Sequence, residues 1–267
     1  MRFRSSYLVP VAVCAFVVSS GLTYFFAAPT PASASGVAPA AAMAGTRNPQ
    51  ASPAELAEGK TLFDGACSTC HGLDAQGSSR APNLVGVGEA TVYFWVSTGR
   101  MPLAYPTAEA EEKKPSFNDA QSRAIAAYVA SLGPGGPPIP VVDLQNADLS
   151  LGQQLFATHC AACHTITGVG DALSNGLSAP SLYPANPTQI AAAMRTGPGN
   201  MPRFGPNTLT DQEVNDIVAY VQYLHHPDDR GGFGLGHIGP IAEGFVALVI
   251  GVGSLLLVSW WIAGKLR

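Results

Sequence analysis

Apolar positions fall into four kinds of pattern along the chain. Tyr7 to Ala28 is a run of 22 residues without a charge. At 1.5 Å per residue a helix of that length covers about 33 Å, enough to cross the hydrocarbon core. Phe245 to Ala263 is a second uncharged run, rich in Val, Leu, Ile and Gly, and a C-terminal transmembrane helix is predicted over 241–263. Between them, apolar residues recur at helical spacing in short bursts. Glu55, Leu56, Gly59, Leu62 and Phe63 follow i, i+3, i+4 spacing, with Ser52 placed to cap ahead of Pro53. Val214, Ile217, Val218, Val221 and Leu224 do the same behind Thr210-Asp-Gln-Glu213, a capping-box sequence. The rest is rich in turn formers, and no alternating strand pattern of useful length is present.

These bursts repeat. Gly59-Lys-Thr-Leu-Phe63 before Cys67 matches Gly152-Gln-Gln-Leu-Phe156 before Cys160, an offset of 93 residues. Ile125-Ala-Ala-Tyr-Val129 matches Ile217-Val-Ala-Tyr-Val221 at an offset of 92. The chain therefore divides into a transmembrane segment 7–28, an Ala/Pro/Ser tether 29–52, a first domain 53–133, a Gly/Pro linker 134–147, a second domain 148–226 and the final helix 241–263. Each copy is expected to open and close with a helix, to hold glycine- and proline-rich loop between them, and to bury little apolar surface unaided.

Charge orients the ends. Arg2 and Arg4 precede the first apolar run, and Lys265 and Arg267 follow the last. Basic residues stay cytoplasmic, so both termini are inside and the repeats outside, a multi-pass protein of the cell membrane. Ala32-Ser33-Ala34 resembles a signal-peptidase site, but the preceding run is longer than a signal core, which favours a retained anchor. Charged residues make up only 12% of the chain and the net charge is −4, which removes nucleic acid as a partner.

Each repeat carries Cys-x-x-Cys-His, as Cys67-Ser-Thr-Cys70-His71 and Cys160-Ala-Ala-Cys163-His164. In an exported chain this is the attachment signature of c-type haem. The two thiols add to the vinyl groups on one edge of the ring, and the adjacent histidine ligates iron from the proximal side. Two covalently bound haems are expected. A zinc ribbon would need paired motifs 15–20 residues apart, whereas 89 residues lie between Cys70 and Cys160. A thioredoxin-type dithiol would sit in a βαβ pattern, which is missing.

Met101 and Met201 each precede a proline in a glycine-containing loop, 30 and 37 residues after His71 and His164. A residue before proline is pushed out of the helical region, which suits a loop delivering a thioether to iron. His71 with Met101, and His164 with Met201, are the expected axial pairs. Met194 falls on helical sequence and reads as core. Such ligation closes both axial positions and raises the potential, so the iron passes electrons and no catalytic residue is assigned. Glu109-Ala-Glu-Glu-Lys-Lys114 reads as a solvated loop, and His225, His226 and His237 as a solvated junction before the membrane.

Three further strings carry a resemblance, the last two of them narrowing the family. They are Gly86-Val-Gly-Glu-Ala90 with Val92-Tyr-Phe94, Ser97-Thr-Gly-Arg-Met-Pro102, and Gly231-Gly-Phe-Gly-Leu-Gly236 before the last helix. With the haem motifs, they make the chain from about residue 55 onward similar to the dihaem cytochrome c subunit of the actinobacterial cytochrome bcc complex, a menaquinol–cytochrome c reductase. The resemblance implies a mainly α protein with two tandem class I cytochrome c-like domains between two transmembrane helices. It implies a cytochrome b subunit, a Rieske iron–sulfur donor and a cytochrome c oxidase acceptor as partners, with membrane lipid around the anchors. Competing expectations are a free membrane-tethered dihaem shuttle, the dihaem subunit of a haem–copper oxidase, and a dihaem peroxidase. The first two usually have one N-terminal anchor, and the third needs an open iron.

Overall fold

The computed structural model describes residues 51–105, 110–174, 176–228, 235 and 240–265. The N-terminal segment 7–28, most of the tether, the 231–236 string apart from Leu235, and His237 lie outside the described residues.

The first repeat folds as helices α1 (Pro53–Ala66), α2 (Ser68–His71), α3 (Glu89–Ser97) and α4 (Asp119–Ser131). The second folds as α5 (Leu149–His159), α6 (Ala161–His164), a two-residue antiparallel pair β1 (Asp171–Ala172) and β2 (Ser178–Ala179), α7 (Pro187–Thr196) and α8 (Asp211–His225). The helix starts follow local chemistry. Ser52 accepts a hydrogen bond from the Glu55 amide, and Thr210 with Glu213 forms the capping box its sequence announces. Asn118 with Gln121 and Asn186 with Gln189 form two more.

The first and last helices of each repeat cross at a glycine. A Cβ on Gly59 would lie 2.0 Å from the Ala124 carbonyl oxygen, and one on Gly152 would lie 2.1 Å from that of Asp216. One turn further on, Phe63 meets Tyr128 and Phe156 meets Tyr220, each pair with ring centroids 5.5 Å apart. The paired glycine-to-phenylalanine and isoleucine-to-valine strings are thus one helix crossing made twice.

Helix α3 departs from the expectation of loop between the terminal helices, whereas α7 lies where the sequence around Met194 reads as helical. Helix α3 is apolar on almost every side, so it shows little of the one-sided periodicity that marks a surface helix. Its environment explains this. Tyr93 is fully buried, and Val92, Phe94 and Val96 nearly so. α3 packs against α4 on one side and α7 of the second repeat on the other. Ala192 of α7 is accordingly part of the first repeat's core. The expectation of little apolar burial is also corrected, because each repeat has its own buried core.

The chain ends in a helix of three sections, Pro240–Val246, a π-helical stretch Ala247–Val252, and Gly253–Lys265. Ile241–Lys265 is long and apolar enough to cross a membrane, with mean hydropathy 2.3 and none of its apolar window buried. Leu255 is 68% and Trp260 76% exposed. A helix showing such side chains all round is suited to lipid as a membrane anchor.

Candidate haem sites

Both Cys-x-x-Cys-His motifs occupy the same kind of turn. Cys67 ends α1 with its amide donating to the Phe63 carbonyl, and Cys160 ends α5 the same way onto Phe156. The chain then bends into a four-residue helix that ends on the histidine. The following residue takes positive φ, 82° at Gly72 and 61° at Thr165. That reversal lets Gly77 and Gly170 donate back to the carbonyls of His71 and His164. Glycine accepts this conformation freely, whereas a β-branched threonine is strained in it.

Each histidine is anchored through one ring nitrogen. Nδ1 of His71 lies 2.8 Å from the Pro82 carbonyl oxygen, and Nδ1 of His164 lies 3.0 Å from that of Pro180. A carbonyl only accepts, so Nδ1 carries the proton and Nε2 presents its lone pair. A metal-ligating histidine needs this arrangement. Burial holds the His164 pKa below the ordinary imidazole range, against the opposing Pro180 hydrogen bond, which favours the neutral ligating form.

Among the described residues no disulfide joins the four motif cysteines. Burial pushes the Cys67 thiol up to about 11 and Cys160 to about 12, with the second cysteine of each motif adding to the rise. A redox-active dithiol requires the opposite, a depressed pKa. Cys160 is buried and Cys67 half-buried, whereas Cys163 is exposed.

In the second repeat the structure brings the four expected residues together. Cys160, Cys163, His164 and Met201 line one cavity of about 390 Å³, walled by Phe156, Leu182, Ile190 and Met194 among others. Its size and mainly apolar lining fit a large flat macrocycle. Met194 is core, with 1% exposure. In the first repeat, Cys67 and Met101 pack against the same core, and His71 is buried beside it. The Met101 amide donates to the Trp95 carbonyl at 2.8 Å, fixing that loop to α3.

Sequence reasoning missed residues that build these sites. Arg195 is 5% exposed and donates to the carbonyls of Phe204 and Leu209 while pairing with Asp211. It thereby pins the loop that carries Met201. Its signal was a lone cation inside Ile190-Ala-Ala-Ala-Met-Arg-Thr196. Part of the acidic–basic run is likewise no free loop. Glu112 pairs with Arg100 at 3.6 Å, and Lys113 donates to the Pro102 carbonyl beside Met101. His225 packs edge-on against Tyr183, with centroids 5.1 Å apart and Nε2 buried, where a solvated residue was expected.

Comparison with known proteins agrees with this architecture. Residues 56–133 match a family model described as cytochrome c, and residues 147–221 match one described as cytochrome C oxidase, cbb3-type, subunit III. The cytochrome bc1 complex cytochrome c subunit of Corynebacterium efficiens is 42% identical over 228 residues, 79% of this chain and 77% of that one. Its counterpart in Mycobacterium tuberculosis is 44% identical over 225 residues, covering 81% and 80%. The cbb3-type cytochrome c oxidase subunit FixP of Sinorhizobium medicae is more distant, 28% identical over 66% of this chain and 63% of its own length. Two cytochrome c domains indicate haem c binding and hence electron transfer. With relatives at that identity aligned over most of both chains, this chain belongs to the family of cytochrome bc1 complex cytochrome c subunits.

Proposed function

We propose that the chain is the dihaem electron-transfer subunit of a quinol–cytochrome c reductase, a proton-motive translocase complex. Cys67 and Cys70 hold the first haem covalently, and Cys160 and Cys163 the second. His71 and His164 are the proximal ligands, Met101 and Met201 the distal ones. The observation that carries this reading is the single cavity lined by Cys160, Cys163, His164 and Met201. When bound, haem iron supplies a one-electron couple, and a histidine–methionine pair sets it high. The chain's own part is to hold each imidazole by Nδ1, keep water from the ring with an apolar wall, and fix the methionine loops through Trp95 and Arg195.

Family membership supports a place inside a membrane assembly with a cytochrome b subunit. The resemblance supports the route: electrons arrive from a Rieske iron–sulfur protein and leave through the second haem to a terminal cytochrome c oxidase. The C-terminal helix favours this over a freely diffusing shuttle, since it ties the second domain to the membrane 14 residues beyond α8. Gly244, Gly251, Gly253 and Ser254 offer small residues for packing against a neighbouring helix. The N-terminal run supplies the other crossing, with both haem domains on the extracytoplasmic side. Deleting residues 238–267 should leave a haem-loaded chain that no longer co-purifies with cytochrome b. Continued assembly and quinol-to-oxygen electron flow in that variant would favour the shuttle.

A further inference from the structure

The distal loop of the first domain does not face only its own site. Phe94, Trp95, Thr98 and Arg100 line the cavity that holds Cys160, Cys163 and His164 of the second domain, as does Glu112. They reach it because α3 packs on α7, the helix that supplies Gln189, Ile190, Ala193 and Met194 to the same cavity. Among the described residues lining this cavity, Arg100 is the one lysine or arginine. Its side chain is only 11% exposed, and its guanidinium lies 5.0 Å from the centre of the Phe94 ring. Stacking on an aromatic face holds a guanidinium in place without neutralising it. Glu112 offsets part of the charge at 3.6 Å, with a third of its own side chain exposed. The second domain's Arg195 is committed elsewhere, to Phe204, Leu209 and Asp211.

We infer that Arg100, carried by the first haem domain, is the cationic residue of the second haem's site, where it offsets the haem's carboxylate charge across the domain interface and raises its reduction potential. The inference rests on the dihaem reading proposed above. A haem c brings two carboxylates with it, and unpaired negative charge near the iron stabilises the oxidised state. A fixed, poorly hydrated positive charge does the reverse, because reduction removes one positive charge from the iron. The sequence neighbour of one haem's distal ligand thus sets the driving force for transfer to the other. It ties the second haem's potential to correct seating of the first domain.

The test uses the full chain in its membrane complex. Potentiometry is followed by optical spectra, and the Met201→His background separates the second haem's wave from the first. Arg100→Gln should lower the reduction equilibrium constant of the second haem by about tenfold, which is about 59 mV for a one-electron couple. Glu112→Gln should raise it, and Arg100→Lys should keep most of the wild-type value. Opposite signs for the two charge removals are something a loosened fold would not produce. An unmoved second wave, a shift confined to the first haem, or shifts of the same sign in both variants would overturn the inference. The mass of each denatured variant is measured alongside. Two haems per chain with an unmoved second wave would overturn the role of Arg100 alone, whereas a haem-free chain would overturn the dihaem reading and this inference with it.

Discussion

The Gln189 side-chain amide of the second haem domain donates to the Ser97 carbonyl oxygen of the first at 3.0 Å, and lies 3.2 Å from its hydroxyl. Both residues are buried, Ser97 at 7% and Gln189 at 9% exposure. Gln189 is also the partner of Asn186 in the capping box that starts α7. One side chain therefore both begins the helix and joins it to the neighbouring domain. The joint is set among apolar residues, since Ala192 one turn further on lies in the first domain's core.

Removing this joint should uncouple the domains. In Gln189→Ala the Ser97 carbonyl loses its cross-domain donor, a loss of about 1–3 kcal/mol for a buried polar group left without a partner. Differential scanning calorimetry should resolve one transition into two, and limited proteolysis should cut faster in the 134–147 segment. A single unchanged transition would mean that apolar contact between α3 and α7 is sufficient by itself.

The helix crossings give a paired prediction. Gly152→Ala puts a methyl 2.1 Å from the Asp216 carbonyl oxygen, and Gly59→Ala one 2.0 Å from that of Ala124. Overpacking of this kind costs about 1–3 kcal/mol or more, because backbone has to move. Gly65, near the end of α1, has nothing within 4 Å of its Cβ position. Gly65→Ala should stabilise by about 0.5–1 kcal/mol through helix propensity. Thermal melts of the three variants should separate in that order, and equal effects at Gly65 and Gly152 would remove the crossing as the reason for glycine.

Much of this was legible in the sequence because it depends on local rules. Thr210 to Glu213 announces a cap whatever surrounds it, and the cysteine–histidine motifs fix five residues relative to one another. The repeat strings marked the first and last helices of each domain, and the structure shows that they cross where a carbonyl oxygen lies against the glycine Cα. Helix α3 was hidden for a physical reason. It is covered by α4 and α7, so the polar side that would betray an amphipathic helix is missing. The cross-domain role of Gln189 was equally silent, since its partner Ser97 lies in the other repeat and sequence spacing carries no trace of it.

The distal ligands can be separated by potential. Met201→His should lower the second haem's potential by an amount on the order of 100 mV, within the roughly 0.8 V span that axial ligands control. Electron entry at that haem would become unfavourable and quinol oxidase turnover would slow. Arg195→Met should act in the same direction more weakly, because it releases the Phe204 and Leu209 carbonyls that shape the Met201 loop. Redox potentiometry of the purified complex checks both. An unchanged potential in Met201→His would assign the ligand to another residue.

The central claim is that each Cys-x-x-Cys-His turn holds one haem through two thioether bonds. The most direct measurement is the mass of the denatured full chain purified from membranes. The account expects an increment of two haems in the native chain, one in Cys160→Ser with Cys163→Ser, and one in Cys67→Ser with Cys70→Ser. A native chain that runs at its bare polypeptide mass, with all four thiols free to alkylation, would contradict it.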